Sequence, residues 1–310
     1  MASAGAKTAN RPAVAAAAAA ALGISVIAST AAGILPPLHV PTSTAGLAIA
    51  ALQCLNLASF ANERANPMAY SKFAQGRADA TIPSRTGMLI IYTPALVVAT
   101  AVAAAALLSV EGPFTGGRVA VVAGMLVLHF AKRVYEVLYV HEYSGNTSNA
   151  CYAIGTIYGL IALLLCVQTS NVPAAVYEAS ASHLALPLAL LLFGIGQAGN
   201  AYHHVLLARL RRAPGAANDD SSTQQPPAKA TYSIPSGGLF KYCAAPHYLF
   251  EVIAWLGIAL AAQQLNALLA AAGMASYLAG RAVANSAWYE TKFPEEYAAL
   301  KRTHMVPFIF

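Results

Sequence analysis

Near the C-terminus, charged and hydrogen-bonding side chains occur inside strongly apolar stretches, where they could bind a polar ligand. Glu251 follows His247 by one helical turn within an aromatic and aliphatic run. Arg281, Asn285 and Tyr289 recur at intervals of four, so they share one face of a helix. Ionisable groups at membrane depth are costly and therefore face a bundle interior or a cavity. These residues predict a polar ligand site at one end of a membrane bundle.

Asn200, His204 and Arg211 form a second group, whose spacings of four and seven again give one helical face. The adjacent His203 and His204 suggest a histidine-rich metal-binding motif. Such sites need several motifs of this kind, and the eight histidines of the chain contain no second one, so we predict no metal. Arg211 could serve only as a basic anchor at a membrane surface. That function does not account for Asn200 and His204 deeper in the apolar stretch.

His129, Arg133 and Glu136 form a third stripe, and here two interpretations stay open. The Arg133–Glu136 pair could simply fix helix packing, or the stripe could contact a ligand. Arginines together with Asn, His and Tyr suit an anionic, hydrogen-bond-rich ligand such as a nucleotide diphosphate. The chain has no GxGxxG loop and no Walker A sequence, so it lacks the signatures of Rossmann and P-loop sites.

The elements that must position these groups are membrane helices. The chain of 310 residues is 58% hydrophobic and only 10% charged, which excludes an ordinary soluble domain. Alternation with period two, typical of a barrel, is absent, so we predict an all-α, multi-pass bundle. An alanine-rich stretch at 12–35 is a candidate eighth helix. The seven main spans are predicted near 43–61, 87–110, 117–140, 150–169, 182–207, 246–264 and 266–288.

Basic residues set the predicted orientation. The loops 62–86, with Lys72, and 208–245 are rich in Lys and Arg, whereas 111–117 and 170–181 contain neither, which places the basic loops and the C-terminus in the cytosol. Since the basic residues lie next to membrane ends, no nucleic-acid partner is expected. Residues 1–42 are predicted to be a targeting segment or an extra helix, and 43–310 the membrane domain. The low-complexity segment 212–230 is predicted to be a disordered cytosolic loop.

Several motifs resemble the steroid 5α-reductase family, which includes very-long-chain enoyl-CoA reductases and polyprenol reductases. The segment from Leu128 to His141 is similar to the enoyl-CoA reductase branch, and Tyr70-Ser71-Lys72-Phe73 is similar to plant steroid-dehydrogenase-like proteins. The family signature covers residues 232–310. Its members here are Gly237-Gly238-Leu239-Phe240, Pro246-His247-Tyr248, Glu251, Trp255, Arg281, Trp288-Tyr289 and Val306-Pro307-Phe308-Ile309-Phe310.

The resemblance implies a seven-helix bundle of the endoplasmic reticulum membrane that binds NADPH at its cytosolic side. It also implies reduction of a C=C bond conjugated to a carbonyl, by hydride transfer to the β-carbon. The family's cofactor contacts fall on Arg133, Asn200, His204, Arg211, Tyr232, His247, Glu251, Arg281, Asn285 and Tyr289.

The family's substrate-binding pair differs in this chain. In steroid 5α-reductases a Glu and a Tyr hold the substrate carbonyl, and the resemblance places Tyr92 and Phe130 at these positions. Phe130 has no hydrogen to donate, so Tyr92 is the catalytic candidate that would stabilise the developing enolate oxygen. An interfacial-belt tyrosine is the structural alternative for Tyr92.

Two other classes remain open. Isoprenylcysteine methyltransferase-like proteins resemble this C-terminal region, although their R-H-P-x-Y pattern is only partly met by Ala245-Pro246-His247-Tyr248. The loss of a donor at Phe130 also fits a non-catalytic lipid- or sterol-binding relative. For a reductase, the expected partners are a lipid substrate, either a steroid enone, a trans-2-enoyl-CoA or a polyprenoid, the surrounding membrane lipids, and enzymes of fatty-acid elongation or sterol metabolism.

Overall fold

The computed structural model describes residues 36–68, 71–74, 77–108, 116–143, 145–179, 183–211 and 233–310. Three sequence-based predictions lie outside these residues: the extra helix at 12–35, the loop at 212–230, and the cofactor contact of Tyr232. Residues 36–42, the described part of the N-terminal segment, are extended, and His39 donates to and accepts from the turn at Gln263–Leu265.

Long helices dominate the described residues. The helices, in chain order, are α1 Thr44–Leu55, a 3-10 turn Asn56–Ala58, α2 Ser59–Ala65, α3 Ser84–Leu107, α4 Gly117–Tyr135, α5 Ala150–Ser170, α6 Ala174–Glu178, α7 Ala185–Arg211, α8 Pro246–Ala262, α9 Leu265–Lys292 and α10 Pro294–Ala299. A π-helical turn, Glu136–Val140, continues α4. Two short strands, β1 Ala80–Pro83 and β2 Asn146–Ser148, pair antiparallel.

Five stretches among the described residues are long and apolar enough to cross a membrane. They are Thr44–Ala65, Ser84–Leu107, Ala150–Ser170, Ala185–Arg211 and Leu265–Lys292. The other two predicted spans are also helical: α4 carries basic residues at both ends, and α8 has 17 residues. The prediction of an all-α membrane bundle is therefore confirmed. The first span, predicted to end at 61, extends to Ala65, which brings Glu63 into the helix.

A proline and a glycine fix how α3 packs against α5. Pro94 lies inside α3 and has no N–H, so the carbonyl of Ile90 loses its helical donor. That carbonyl points at Gly155 of α5, where a Cβ atom would collide with the oxygen. Glycine is thus required for this close approach, in which the backbone of α5 covers the exposed oxygen. The contact holds the turn of α3 that carries Tyr92.

Helices α7 and α8 pack equally closely. At Gly196 a Cβ atom would collide with the backbone nitrogen of Ala254, so only glycine permits this separation. The small residues bring the polar faces of both helices together near Asn200 and His247. The strand pair joins the starts of α3 and α5 at the same end of the bundle, with Ile82 paired to Thr147. The polar site is formed at this end.

Candidate functional site

One cavity lies at this end of the bundle and opens partly to solvent. The residues that both the sequence analysis and the structure place there are Tyr92, Arg133, Asn200, His204, Arg211, His247, Glu251, Arg281 and Asn285. Their helices, α3, α4, α7, α8 and α9, are separated along the chain but converge in space. The structure therefore brings these separately predicted groups together in one site.

Glu136 does not line the cavity but connects several of the residues that do. Its carboxylate accepts from Arg133 Nη1 at 2.7 Å and from Lys132 Nζ at 2.9 Å, and it lies 3.0 Å from His204 Nδ1. Lys132 also donates to the amide oxygen of Asn200, whose nitrogen donates to the carbonyl of His247 at 2.8 Å. The network spans three helices, so the pair of Arg133 and Glu136 does more than connect neighbouring turns of α4.

The π-helical turn places His141 beside this network. The backbone N–H of His141 donates to the carbonyl of Glu136 at 2.8 Å, and the imidazole rings of His141 and His204 are 4.8 Å apart. Burial, followed by the proximity of His204 and Arg133, lowers the pKa of His141 to about 2. His141 is therefore neutral at the cavity wall and offers one donor and one acceptor.

Ligand atoms of Glu136, His141 and His204 lie within 4.8 Å of one another, close enough to bind a metal ion. However, Glu136 already pairs with Lys132 and Arg133. These two positive charges would repel a divalent cation, so we assign the three residues to the hydrogen-bond network.

Tyr92 faces the same cavity from α3. Arg133 Nη2 donates to its hydroxyl oxygen at 2.5 Å, and the guanidinium carbon lies 4.7 Å from the centre of the ring. Because a guanidinium can only donate, the tyrosine oxygen accepts in this bond and its own proton is available to another acceptor. Tyr92 is only 7% exposed, which argues against the interfacial-belt interpretation.

Glu251 is oriented by His129, which the sequence analysis assigned to another group. Its Oε1 lies 3.2 Å from His129 Nε2, and His129 Nδ1 lies 2.9 Å from the amide nitrogen of Gln197. With Gln197 donating to Nδ1, the imidazole proton is on Nε2 and is donated to Glu251. The second carboxylate oxygen of Glu251 remains available to accept from a ligand.

Arg281 is almost fully buried and forms an ion pair with Glu63 of α2, at 2% and 1% side-chain exposure. Sequence analysis missed Glu63, because it assigned the residue to a solvated loop. The pair joins the first membrane span to α9 at the cavity. Arg281 also lies over Phe73, with its guanidinium carbon 4.9 Å from the ring centre.

Lys72 also contributes to the cavity, although the sequence analysis counted it among the basic loop residues. Its ammonium lies 3.9 Å from the ring centre of Tyr289 and 4.4 Å from that of Trp288. Burial, and then the charges of Arg281 and Arg211, lower the pKa of Lys72 well below the usual lysine value. Among the described residues no carboxylate pairs with this lysine, so an anionic ligand would supply the missing counter-charge.

Two other candidates have different surroundings from those expected. Tyr289 does not line the cavity. It stacks on Tyr297, with ring centres 5.4 Å apart, and its own ring contacts the ammonium of Lys72. Phe130 is 1% exposed and lies behind the cavity wall, against His129, Tyr158 and Trp255. Its position in the core explains why an apolar ring is tolerated there.

Known proteins are similar to this chain over much of its length. A profile of the family described as 3-oxo-5-alpha-steroid 4-dehydrogenase matches residues 147–310, more than half of the chain. The 3-oxo-5-alpha-steroid 4-dehydrogenase 2 of Homo sapiens is 28% identical over 255 residues, covering 79% of this chain and 89% of the relative. Its counterpart from Sus scrofa is 26% identical over 257 residues, with the same coverage. The very-long-chain enoyl-CoA reductase of Dictyostelium discoideum is 28% identical over 185 residues, covering 59% of this chain and 55% of the relative.

Proposed function

Because the chain belongs to the 3-oxo-5-alpha-steroid 4-dehydrogenase family of oxidoreductases, we propose that it reduces a C=C bond conjugated to a carbonyl in a membrane lipid, with NADPH as hydride donor. The observation that carries the proposal is the position of Tyr92. Its hydroxyl is held by Arg133 at the wall of the cavity, and basic residues for an anionic cofactor line the same space.

The residues of the cavity fit a dinucleotide. Basic side chains outnumber carboxylates among the lining residues, which are Lys72, Arg133, Arg211 and Arg281 against Glu142 and Glu251. The Nδ1 atom of His247 is buried without a partner among the described residues, so a polar ligand atom could satisfy it. When bound, NADPH supplies the hydride for the β-carbon of the substrate.

The chain's own contribution to the reaction is electrostatic. Tyr92 would donate its proton in a hydrogen bond to the substrate carbonyl, and the bond strengthens as negative charge develops on that oxygen. Arg133 fixes the direction of the hydroxyl by occupying one of its lone pairs. Glu251, held by His129, would accept a hydrogen bond from the cofactor and so orient it against the substrate.

The rest of the lining supports a lipid substrate. The cavity also has an apolar and aromatic part of its lining, which consists of Met88, Tyr158, Trp255, Met274 and Leu278, and the ring of Tyr158 lies 6.1 Å from that of Tyr92. Such a surface suits a steroid enone or the acyl part of a trans-2-enoyl thioester, the two kinds of substrate that the names of the relatives suggest. We place the enzyme in the endoplasmic reticulum membrane with its C-terminus in the cytosol, working beside enzymes of sterol metabolism or fatty-acid elongation.

The test combines cofactor titration with turnover. Purified protein in nanodiscs would be titrated with NADPH, NADH and S-adenosylmethionine, and NADPH oxidation followed with an enone steroid, a trans-2-enoyl-CoA and a polyprenoid. The proposal requires NADPH binding and oxidation with one of these substrates. Binding of S-adenosylmethionine instead would support the methyltransferase-like alternative, and binding of neither would support the lipid-binding alternative.

Arg211→Ala is expected to weaken NADPH binding by about tenfold or more while leaving NADH nearly unchanged, because its guanidinium would contact the 2′-phosphate. Arg211 lies at the cavity mouth, where Nη1 donates to the carbonyl of Glu142 at 2.7 Å. Titration of both cofactors measures the difference. Arg209→Ala, an exposed arginine of the same helix, is the matched control. Equal weakening of NADPH and NADH by Arg211→Ala would contradict the assignment.

Lys72 is expected to make NADPH binding pH-dependent. Burial lowers the pKa of Lys72, so raising the pH through that value deprotonates the amine and weakens the binding of an anion. Below that pKa the ammonium is already charged and the affinity reaches its maximum. Dissociation constants measured from acidic to alkaline pH should rise in the parent protein, beginning well below the usual lysine pKa. The rise should be absent in Lys72→Gln and retained in Lys292→Gln, an exposed lysine; a rise that persists in Lys72→Gln would exclude Lys72 as its source.

A further inference from the structure

The C-terminal residues end in a sharply folded tip that exposes two large apolar side chains. Phe308 and Ile309 are 80% and 83% exposed, more than any other large hydrophobic residue described. Phe308 adopts φ 65°, a left-handed conformation that is unusual for a bulky residue. Such a conformation persists only where the surrounding structure fixes it.

The surrounding structure does fix the tip. Backbone N–H groups of Met305 and Val306 both donate to the carbonyl of Phe310 at 2.7 Å, and Phe310 donates back to Val306 at 3.0 Å. The ring of Phe310 turns inward and lies 6.4 Å from the ring of Phe60. The tip is therefore a rigid turn with one aromatic ring inside and two apolar side chains outside.

The contact with Phe60 indicates how deep the tip lies relative to the membrane. Phe60 belongs to the apolar span Thr44–Ala65 and lies five residues before its end, which corresponds to about 8 Å along a helix. This distance matches the thickness of the interfacial layer of a bilayer, roughly 5–8 Å on each side. The same span exposes Leu52 and Leu55 at 65% and 70%. The tip thus continues the lipid-facing surface of the bundle at interfacial depth.

The residues beside the tip have the composition of a membrane interface. The ring of Tyr242 lies 5.1 Å from the ring of Phe308 and is partly exposed, as interfacial aromatic residues are. Lys241, the residue before Tyr242, is exposed, and its ammonium lies 5.5 Å from the centre of the Tyr242 ring. Basic side chains at this level attract phospholipid phosphates. A protein partner would instead have to match both apolar and charged groups within one small turn.

We propose that Phe308 and Ile309 insert into the phospholipid interface as an anchor for the end of the bundle that carries the cavity. The anchor would act on the site through the backbone. Ala244 and Ala245 donate to the carbonyls of Thr303 and His304 at 2.9 and 3.0 Å, immediately before α8 begins at Pro246. The inference concerns the membrane contact and holds whatever reaction the cavity supports.

Tryptophan fluorescence of the full chain in nanodiscs tests the proposal. Phe308→Trp would be compared with Glu295→Trp, an exposed position of α10, after subtraction of the parent signal. In lipid brominated near the glycerol end of the acyl chains, the signal of the tryptophan introduced by Phe308→Trp should fall by about half or more and resist aqueous acrylamide. The control should show the reverse. If Phe308→Trp does not fold, Ile309→Trp replaces it.

Two results would overturn the proposal. Quenching of the residue-308 signal by acrylamide, with no effect of brominated lipid, would place the tip in water. Protection from both quenchers would mean that protein covers the tip, as in contact with a second copy. Because fluorescence does not depend on turnover, either result is distinguishable from a failure of the proposed reductase activity.

Discussion

Tyr92→Phe is expected to lower the turnover number by ~10²–10³-fold, the usual effect of removing one donor to a developing oxyanion. The substitution retains the ring that stacks on Tyr158, with centres 6.1 Å apart, so packing of α3 against α5 should persist. Cofactor affinity and KM should change far less, since the hydrogen bond strengthens only in the transition state. Steady-state NADPH oxidation with the best substrate gives both parameters.

The control for Tyr92→Phe is Tyr135→Phe, which removes a hydroxyl from a residue of α4 that is 58% exposed on the outside of the bundle. Its turnover should equal that of the parent protein. A Tyr92→Phe variant that retains full turnover would remove Tyr92 from the mechanism. Loss of NADPH binding in the variant would instead assign the hydroxyl to the cofactor, through its bond to Arg133.

Glu63→Gln is expected to destabilise the protein by about 3–5 kcal/mol, because it leaves the buried charge of Arg281 uncompensated. Both side chains are almost inaccessible to bulk solvent, at 1% and 2% exposure. The free energy of unfolding in detergent micelles measures the effect. Since the pair joins α2 to α9 beside the cavity, NADPH affinity should fall in the same variant.

Two further variants show whether the charge causes this effect. Glu63→Gln combined with Arg281→Gln removes both charges and should recover much of the stability, though not the cofactor affinity. Asp79→Asn breaks the solvent-exposed pair with Arg77 and should have no measurable effect. If Glu63→Gln were as stable as the parent protein, the buried pair would not contribute to holding the first span.

The membrane helices could be predicted from the sequence because each span is a local signal. Apolar length and the scarcity of charge define α3, α5 and α9 without knowledge of any partner. The predicted end of the first span was wrong, and the reason is physical. Two adjacent charged residues, Glu63 and Arg64, predict a loop if each charge is assumed to be solvated. The charge of Glu63 is instead paired with Arg281, which lies 218 residues away along the chain.

The same limit applies to the candidate site. Helical spacing grouped Asn200 with His204 and Arg281 with Asn285, because residues four apart share a face. Contacts between helices are not encoded in spacing, so neither the pair of His129 with Glu251 nor the bond from Arg133 to Tyr92 could be derived. Lys72 was missed since a lysine in a basic loop is normally solvated, and only the fold shows its burial among aromatic rings.

The carbonyl of Ile90, left without a helical donor by Pro94, constrains position 155 of the neighbouring helix. Any side chain at 155 would collide with that oxygen, and because the collision is steric, an alanine at 94 would supply the missing donor without making room at 155. Tyr92 lies between Ile90 and Pro94, so the same backbone contact fixes where its side chain begins. A change of residue at 92 would therefore alter the hydrogen bonding at the cavity wall without moving the backbone that presents it.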